Sequence, residues 1–445
     1  MGSERYPLHN VGIYRNLPQF DPHIKGLKAI VTGANGISGF HTMRVLLESP
    51  ERWTKVYALS RKPPPPAMLA LLTEGQRSRI QHVAVDFLSE PSDIAQAMQN
   101  AGVEADYVFF YSYLQPKPPP DMPKSHAWSN ADELVKINKA LFKNFLQAVE
   151  QQQLKPKRVL LQTGAKNYGV HLGRTRTPSN ESDQEPRHLE PNFYYPQYDL
   201  LYDYCKRNNV AWNIVCPAWI IGAVTTAQIN GLHPFAVYAA VQAHRGEKLK
   251  FPADWRSWQH EALHATARLT GYLSEWAILE DRCKNEKFNA QDTSPLSWDR
   301  LFEELARWYG APGVIPPSDD ESQYHSLTGK PGRETPMGYG PPTVHRFSWS
   351  LVKWAKDAEN KQAWEQMMAK SNGQLTANPF EDAEENFQMG DAILSPIGSM
   401  NMNKARRLGW TGYVDTLESI HEMYRENSRL GLVPEMMVSE PKPMV

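Results

Sequence analysis

A glycine-rich turn near the amino terminus constrains the fold more than any other stretch. Residues 28–39 read Lys-Ala-Ile-Val-Thr-Gly-Ala-Asn-Gly-Ile-Ser-Gly, an apolar run followed by glycines at positions 33, 36 and 39. Glycine lets the backbone turn tightly and approach a ligand closely, because it has no Cβ atom. The amphipathic stretch that follows predicts a helix, whose first N–H groups favour an anion such as a pyrophosphate. The spacing G-x-x-G-x-x-G therefore predicts a dinucleotide site, although Asn35 stands where the commoner fingerprint has a glycine.

Two cations follow the second predicted strand, where a dinucleotide fold meets the adenosine ribose. The apolar run 55–60 is followed by Arg61 and Lys62, and no acid stands there to bind the 2′-hydroxyl of NAD. The planar fork of arginine suits a 2′-phosphate. A solvated basic pair before a proline run is the alternative. We predict NADP(H) as the cofactor.

Further apolar runs alternate with helical patterns through the first half of the chain. Strands are expected at 80–86, 106–111, 158–163 and 210–217, and a long helix begins at Ser129. This alternation predicts an α/β fold with a doubly wound parallel Rossmann sheet. Ligands of such sheets bind beyond the carboxyl ends of the strands.

The second half of the chain has a different pattern, mostly helical, and we expect it to cover a substrate pocket. The predicted divisions are an N-terminal arm (1–25), an NADP-binding domain (26–225), a substrate-binding portion (226–430) and a tail (431–445). A loop excursion rich in proline and glycine is predicted at 312–346. Its role is left open between a lid, a contact in a homodimer, and neither.

Composition excludes several classes of function. The formal net charge of −1 argues against a nucleic-acid-binding surface. The longest apolar stretch, 211–224, is interrupted and shorter than the roughly 20 residues of a membrane helix, and no signal peptide is expected at residues 1–7. The three cysteines have neither disulfide nor metal-ligand spacing. We therefore expect a cytoplasmic protein without a metal site that acts on a small molecule.

A lysine and a tyrosine are the candidate catalytic residues. Hydride transfer to an unsaturated carbonyl needs an acid group beside the substrate oxygen, and a tyrosine near a cation provides one. Many short-chain reductases have Tyr-x-x-x-Lys on one helix, but the residue four after Tyr194 is Tyr198. Lys166 instead follows the predicted strand 158–163, in Leu-Gln-Thr-Gly-Ala-Lys, and Tyr194 lies in Asn-Phe-Tyr-Tyr at 192–195.

These motifs resemble those of the progesterone 5β-reductase/iridoid synthase-like (PRISE-type) family, an atypical branch of the extended short-chain dehydrogenases, in its fungal-like form. The similar stretches span roughly residues 27–425: Thr32–Gly39, Ser60–Lys62, Leu161–Lys166, Asn192–Tyr195, Lys287–Ala290 and Ser399–Lys404. The resemblance implies that Lys166 and Tyr194 are the catalytic pair. In that family the tyrosine binds the enone oxygen, the hydride reaches the β-carbon, and the lysine supports the nicotinamide ribose.

The predicted cofactor contacts lie at the glycine turn and at the ends of the strands. They are Thr32, Gly33, Asn35, Gly36, Ile37, Gly39, Ser60, Arg61, Lys62, Asp86, Phe87, Tyr111, Gln162, Pro217 and Ile220. Asp86 is expected to meet the adenine amino group, and a turn cap is the alternative for this residue.

The chain departs from the family at the predicted substrate wall. Where the family has Arg-Pro-Gly-Asn-Ile-Phe-Gly, residues 216–222 read Cys-Pro-Ala-Trp-Ile-Ile-Gly, so that Trp219 replaces an asparagine. The predicted substrate contacts are Tyr168, Trp219, Tyr238 and Trp258, with His171 and Trp255 as further candidates. A pocket with aromatic walls favours a small hydrophobic or polycyclic enone over a sugar.

The sequence thus predicts an NADPH-dependent 1,4-reductase of an apolar α,β-unsaturated carbonyl compound. A carbonyl reductase or an epimerase/dehydratase-type enzyme on the same fold is one alternative, and product analysis separates them. A non-catalytic NADP(H)-sensing protein is the other. The retention of both Lys166 and Tyr194 argues against it.

Overall fold

The centre of the molecule is a seven-stranded, all-parallel sheet. A computed structural model describes residues 7–116, 130–226 and 230–442. In chain order the strands are β1 (Leu27–Thr32), β2 (Trp53–Ser60), β3 (Ile80–Ala84), β4 (Tyr107–Phe110), β5 (Arg158–Gln162), β6 (Ala211–Pro217) and β7 (Glu286–Ala290). Their spatial order is β3-β2-β1-β4-β5-β6-β7. The order reverses between β1 and β4, and a doubly wound sheet binds its ligand at such a point.

The sheet strands are apolar because helices cover both faces. All four residues of β4 are buried, and Ala29, Ile30 and Val31 of β1 have no solvent exposure. Continuous apolar runs of this kind are typical of parallel strands. The flanking helices are α1 (Ile37–Leu46), α2 (Pro91–Asn100), α3 (Ala131–Gln151), α4 (Tyr194–Asn208) and α5 (Ala267–Leu279). The predicted α/β Rossmann fold is confirmed.

The chain between β2 and β3 and after β5 contains short helical turns. Two four-residue helices, Pro66–Leu69 and Glu74–Arg77, precede β3, and a 3₁₀ turn, Ala165–Tyr168, follows β5. The predicted beginning of the long helix at Ser129 lies outside the described residues, as do residues 1–6 of the predicted arm and 443–445 of the predicted tail.

The C-terminal portion is mostly helical, as expected. Besides α5 and short 3₁₀ turns it contains the helices His233–Arg245, Trp255–Trp258, Trp298–Tyr309, Leu351–Ala355, Ala358–Lys370, Ala383–Ile393, Asn403–Arg407 and Thr416–Arg429. Small strand pairs join them: Trp219–Ile221 with His264–Thr266, Leu249–Lys250 with Val314–Ile315, and Glu261–Ala262 with Leu296–Ser297. No helix in the described part of the chain is long and apolar enough to cross a bilayer.

The segment 312–346 contributes to an antiparallel hairpin. Strand His325–Thr328 pairs along its whole length with strand Val344–Phe347. We call the two strands, together with residues 329–343 between them, the cavity hairpin. Near the amino terminus, strands Leu8–Val11 and Tyr14–Pro18 form a second hairpin. Tyr14 is 1% exposed and its hydroxyl donates a hydrogen bond to Glu422 at 2.8 Å, so this hairpin packs on the last helix.

Candidate active site

A cavity of about 1220 Å³ opens at the carboxyl ends of the sheet strands. The glycine turn, the loop after β5 and the start of α4 line it, together with the C-terminal portion. Most of the predicted site residues lie here: Gly33, Asn35, Gly36, Ile37, Gly39, Arg61, Tyr111, Gln162, Lys166, Tyr194, Pro217, Trp219 and Ile220, and also His171. The fold thus brings residues from all parts of the chain to one cavity.

The glycine turn forms a cradle that side chains would fill. Gly33 has φ +59°, and a Cβ atom there would lie 2.9 Å from the backbone of Tyr111. A Cβ atom on Gly39 would collide with the Gly33 carbonyl oxygen. No side chain caps α1 and no acid stands in its first turn. The positive end of α1 therefore faces the cavity, where it suits an anion.

Two buried oxygen atoms on the cavity wall lack hydrogen-bond donors among the described residues. These are Asn35 Oδ1 and Gln162 Oε1. The amide nitrogen of Gln162 donates to Ser38 Oγ at 2.7 Å, and that of Asn35 donates to the Lys62 carbonyl at 2.7 Å. A buried acceptor without a partner is costly. A nucleotide with donor groups would satisfy both acceptors, so these residues fit a dinucleotide.

The basic pair after β2 is divided by the structure. Arg61 is exposed and lines the cavity, whereas Lys62 is exposed and is not among the residues that line it. The backbone carbonyl of Lys62 accepts a hydrogen bond from Ser60 Oγ at 2.7 Å, in addition to the one from Asn35. Arg61 is therefore the residue of the pair that is placed to contact a phosphate.

Four other predicted cofactor residues, Thr32, Ser60, Asp86 and Phe87, lie outside the cavity lining. Thr32 Oγ1 accepts hydrogen bonds from the backbone N–H groups of Tyr111 and Ser112, at 3.0 and 3.2 Å, which joins the ends of β1 and β4. Asp86 is exposed and caps a turn by accepting the Leu88 N–H. Phe87 is buried against aromatic side chains of the core.

Lys166 lies in the short 3₁₀ turn directly after β5 and points into the cavity. The side chain is half-buried, and desolvation lowers the pKa of its ammonium to about 7. Desolvation lowers the pKa of the His171 ring, and the nearby charge of Lys166 lowers it further. His171 is therefore neutral at physiological pH.

Tyr194 is the first residue of α4 and lies 9% exposed on the cavity wall. Burial, and then the neighbouring Tyr113, raise the pKa of its phenol far above the ordinary value. The phenol is therefore protonated at physiological pH and can donate a hydrogen bond. Gly164 leaves it room, because a Cβ atom at this position would lie 3.1 Å from the Tyr194 hydroxyl.

Hydrogen bonds hold the lysine turn against the beginning of α4. Asn192 donates to the Lys166 carbonyl and accepts the Tyr194 N–H, both at 3.0 Å. The Tyr195 hydroxyl donates to the Asn167 carbonyl at 3.0 Å. The two candidate catalytic segments, separated along the chain, are therefore joined by hydrogen bonds. Asn192 stands in the Asn-Phe-Tyr-Tyr motif, but the sequence alone did not indicate this role.

Aromatic rings line the cavity beside Tyr194. Tyr113 and Phe193 stack with ring centroids 5.6 Å apart. Trp219 is half-buried at the start of the short strand Trp219–Ile221, where its backbone pairs with that of His264. Sequence reasoning missed Tyr113 and Phe193. The position of Tyr113 just beyond β4 is the signal that could have identified it.

Four other predicted substrate residues do not line the cavity: Tyr168, Tyr238 and Trp258 are buried in contacts elsewhere, and Trp255 is exposed. The Tyr168 hydroxyl donates a hydrogen bond to Asn289 on β7. The Tyr238 hydroxyl donates to the Lys250 carbonyl at 3.1 Å. Trp258 packs on Phe251 with ring centroids 4.8 Å apart. Trp255, also a candidate, is 41% exposed and donates to Asp319.

The far wall of the cavity comes from segments that carried no predicted site residue. The cavity hairpin contributes Leu327, Thr328, Gly329, Lys330, Met337, Thr343 and His345, and other parts contribute Arg174, Arg256, His260, Met389 and residues 395–398. Lys330 forms an ion pair with Glu190 at 2.6 Å, just before α4. The excursion at 312–346 thus forms part of the candidate site.

Comparison with known proteins identifies the family. Residues 29–326 match the model of the PRISE-like Rossmann-fold domain. The short chain dehydrogenase gsfE of Penicillium aethiopicum is 28% identical over 92% of this chain and 99% of its own. The 3-oxo-Delta(4,5)-steroid 5-beta-reductase of Arabidopsis thaliana is 24% identical over 91% of this chain and 93% of its own. The (S)-8-oxocitronellyl enol synthase of Catharanthus roseus is 24% identical over 92% of this chain and 94% of its own.

Solved structures agree on the fold. The Bordetella bronchiseptica enzyme WbmG, solved in complex with NAD, superposes with a TM-score of 0.53 at 12% identity, over 93% of this chain and 98% of its own. At this identity the likeness concerns the fold alone. The matched domain, the parallel sheet and the relatives over nearly the whole length lead to one conclusion: the chain belongs to the PRISE-like Rossmann-fold family, among the oxidoreductases of the short-chain dehydrogenase/reductase type.

Proposed function

We propose that the protein is an NADPH-dependent reductase that adds hydrogen across the carbon–carbon double bond of an α,β-unsaturated carbonyl compound. One observation carries the proposal. The Lys166 ammonium and the Tyr194 phenol line the same cavity as the glycine cradle, on two segments that Asn192 joins. The relatives named for steroid 5β-reduction and for 8-oxocitronellyl enol formation support this choice of chemistry.

The cofactor end of the cavity suits NADPH in charge and in hydrogen bonding. The uncapped amino terminus of α1 and the glycine cradle would hold the pyrophosphate. Arg61 would bind the 2′-phosphate through its guanidinium fork. Gln162 and Asn35 would accept hydrogen bonds through their unpaired oxygens. Bound NADPH would supply a hydride to the β-carbon of the substrate.

Tyr194 and Lys166 have complementary roles at the substrate carbonyl. The neutral Tyr194 phenol donates a hydrogen bond to the carbonyl oxygen, which becomes more negative as the reaction proceeds. A donor fixed in a desolvated site stabilises such charge without reorganising. Desolvation lowers the pKa of Lys166 to about 7, and Lys166 becomes more fully protonated beside an anionic ligand and adds positive potential.

Product analysis tests the proposal against the alternatives. The protein is incubated with deuterium-labelled NADPH and 2-cyclohexenone or progesterone, and the products are identified by mass spectrometry and NMR. We expect a saturated ketone with deuterium at the β-carbon. An allylic alcohol with deuterium at the carbonyl carbon would establish a carbonyl reductase instead. If NADPH binds but is not oxidised with any enone, the reductase proposal is wrong and a sensing role is favoured.

A further inference from the structure

The charged side chains on the cavity wall are almost all cationic. The only carboxylate among the described lining residues is Glu190, and Lys330 neutralises it at 2.6 Å. The other charged lining residues are Arg61, Lys166, Arg174 and Arg256. The whole chain has a net charge of −1, so this excess is a local property of the cavity. Arg61 and Lys166 are accounted for by the proposed cofactor, whereas Arg174 and Arg256 are not.

Arg174 is held by the cavity hairpin. Its guanidinium donates hydrogen bonds to the carbonyls of Pro341 and Pro342, and its own carbonyl accepts the Met337 N–H at 2.9 Å. These contacts fix the position of Arg174 but do not neutralise it, because no described carboxylate forms an ion pair with it. Its role in holding the hairpin explains why it is present.

Arg256 has no such explanation. It lies on the short helix Trp255–Trp258, and within the described ranges no carboxylate or carbonyl is within ion-pair or hydrogen-bond distance of its guanidinium. The nearby Asp254 is already occupied, because it accepts hydrogen bonds from Arg346 at 3.0 Å and from the Ser257 N–H at 3.1 Å. Arg256 is solvent-exposed and lines the cavity, and it therefore offers its charge to a ligand there without a carboxylate partner among the described residues.

Two histidines stand beside Arg256 on the same wall. His260 hydrogen-bonds to the Ile397 backbone, and His345 lies on the cavity hairpin with its Nδ1 atom buried and without a partner among the described residues. Desolvation and the charge of Arg256 lower the pKa of both rings. Glu261 partly offsets this lowering for His260, and Asp254 partly offsets it for His345. Both rings are neutral at physiological pH, so each has one N–H group. His260 donates its N–H to the Ile397 backbone carbonyl, whereas His345 can donate its N–H from Nε2.

We propose that Arg256 and His345 bind a carboxylate of the substrate at the end of the cavity formed by the C-terminal portion, where His260 is held beside them by the Ile397 backbone. The substrate class, an extension that rests on the proposed function, is then an enone with an apolar body and an acidic end. The rings of Tyr113, Phe193 and Trp219 border the apolar body, and the arginine fork suits the two oxygens of a carboxylate.

Matched ligands test this inference by binding, without turnover. The probes are (E)-alk-3-en-2-ones of increasing chain length that end in a carboxylate, together with their methyl esters. Calorimetry with the NADP⁺-loaded protein gives the affinities. Because a charge-assisted hydrogen bond is lost in the ester, we expect the acid of the best-fitting length to bind roughly tenfold more tightly. Arg256→Met keeps an apolar stem and should bring this ratio close to one.

The control is Arg282→Met, which removes an exposed arginine paired with Glu280 outside the cavity and should leave the acid-to-ester ratio unchanged. Equal affinities of acid and ester at every chain length, or an unchanged ratio in Arg256→Met, would overturn the inference. NADPH oxidation measured with the same compounds separates the two proposals. Acid-selective binding without oxidation would refute the reductase alone, and oxidation without acid preference would refute the carboxylate site alone.

Discussion

Gly164 leaves the space that the Tyr194 hydroxyl occupies. A Cβ atom on Gly164 would lie 3.1 Å from this hydroxyl and 3.5 Å from the Pro217 carbonyl oxygen. The φ angle of Gly164 is 174°, an extended conformation that any residue adopts. Backbone conformation therefore does not require a glycine here. The requirement comes from the phenol, which must reach the cavity past the end of β5.

Gly164→Ala should therefore impair catalysis and spare cofactor binding. The added methyl group displaces the phenol by a few tenths of an ångström, and misplacement of a reacting group lowers kcat/KM by roughly 10- to 100-fold. The measurements are steady-state kinetics with an enone and the Kd of NADPH. Gly75→Ala is the matched control, since no atom lies within 4 Å of its added Cβ. Full activity of Gly164→Ala would show that the phenol position is not critical.

Asn192→Asp should lower kcat because it breaks the bridge between the two candidate catalytic segments. The substitution removes the donor to the Lys166 carbonyl and replaces it with an oxygen that the carbonyl repels. The control is Asn144→Asp, which breaks part-buried hydrogen bonds to the carbonyls of Phe87 and Ser89. Both variants should lose about 1–3 kcal/mol of stability. Only Asn192→Asp should lose about tenfold in kcat, and an equal loss in Asn144→Asp would contradict this role.

Arg61→Ala should weaken the discrimination between NADPH and NADH. Loss of a guanidinium–phosphate contact raises KM for NADPH by roughly tenfold and leaves KM for NADH unchanged, because NADH has no 2′-phosphate. Lys62→Ala provides the comparison, since its side chain does not line the cavity. An equal effect of the two substitutions on KM for NADPH would show that the pair acts as a diffuse charge.

NADPH binding should weaken as the pH rises above about 7, the value to which desolvation lowers the pKa of Lys166. The anionic cofactor raises this pKa, so the complex binds more protons than the free protein and is favoured at low pH. Calorimetry in buffers of different ionisation enthalpy should detect proton uptake near pH 8. Lys166→Met should abolish the uptake. Identical proton uptake in Lys166→Met would assign it to another group.

Much of the sheet could be predicted from the sequence because its strands are continuously apolar. The strand β7, Glu286–Ala290, was not predicted as part of the sheet. Phe288 is its only large apolar residue, and the segment becomes a strand because its backbone pairs with β6 at the sheet edge. Local pattern does not contain this tertiary contribution.

The cofactor half of the site was more predictable than the substrate half. The glycine turn and the two motifs follow strands, and the carboxyl ends of parallel strands necessarily meet. Tyr238 and Trp258 were predicted to face the substrate because they are aromatic, but the same apolar area places them in the core of the C-terminal portion. Arg256 and His345 gave no signal, because only tertiary folding brings the cavity hairpin to the short helix.

Tyr194→Phe removes only the hydroxyl group that we propose to act on the substrate carbonyl. The measurement is enone-dependent NADPH oxidation at 340 nm, with the Kd of NADPH determined in parallel. Tyr202→Phe, on the same helix but 37% exposed, is the control. Tyr194→Phe should lose roughly 100-fold or more in kcat at an unchanged Kd. A Tyr194→Phe protein as active as the unsubstituted enzyme would contradict the account.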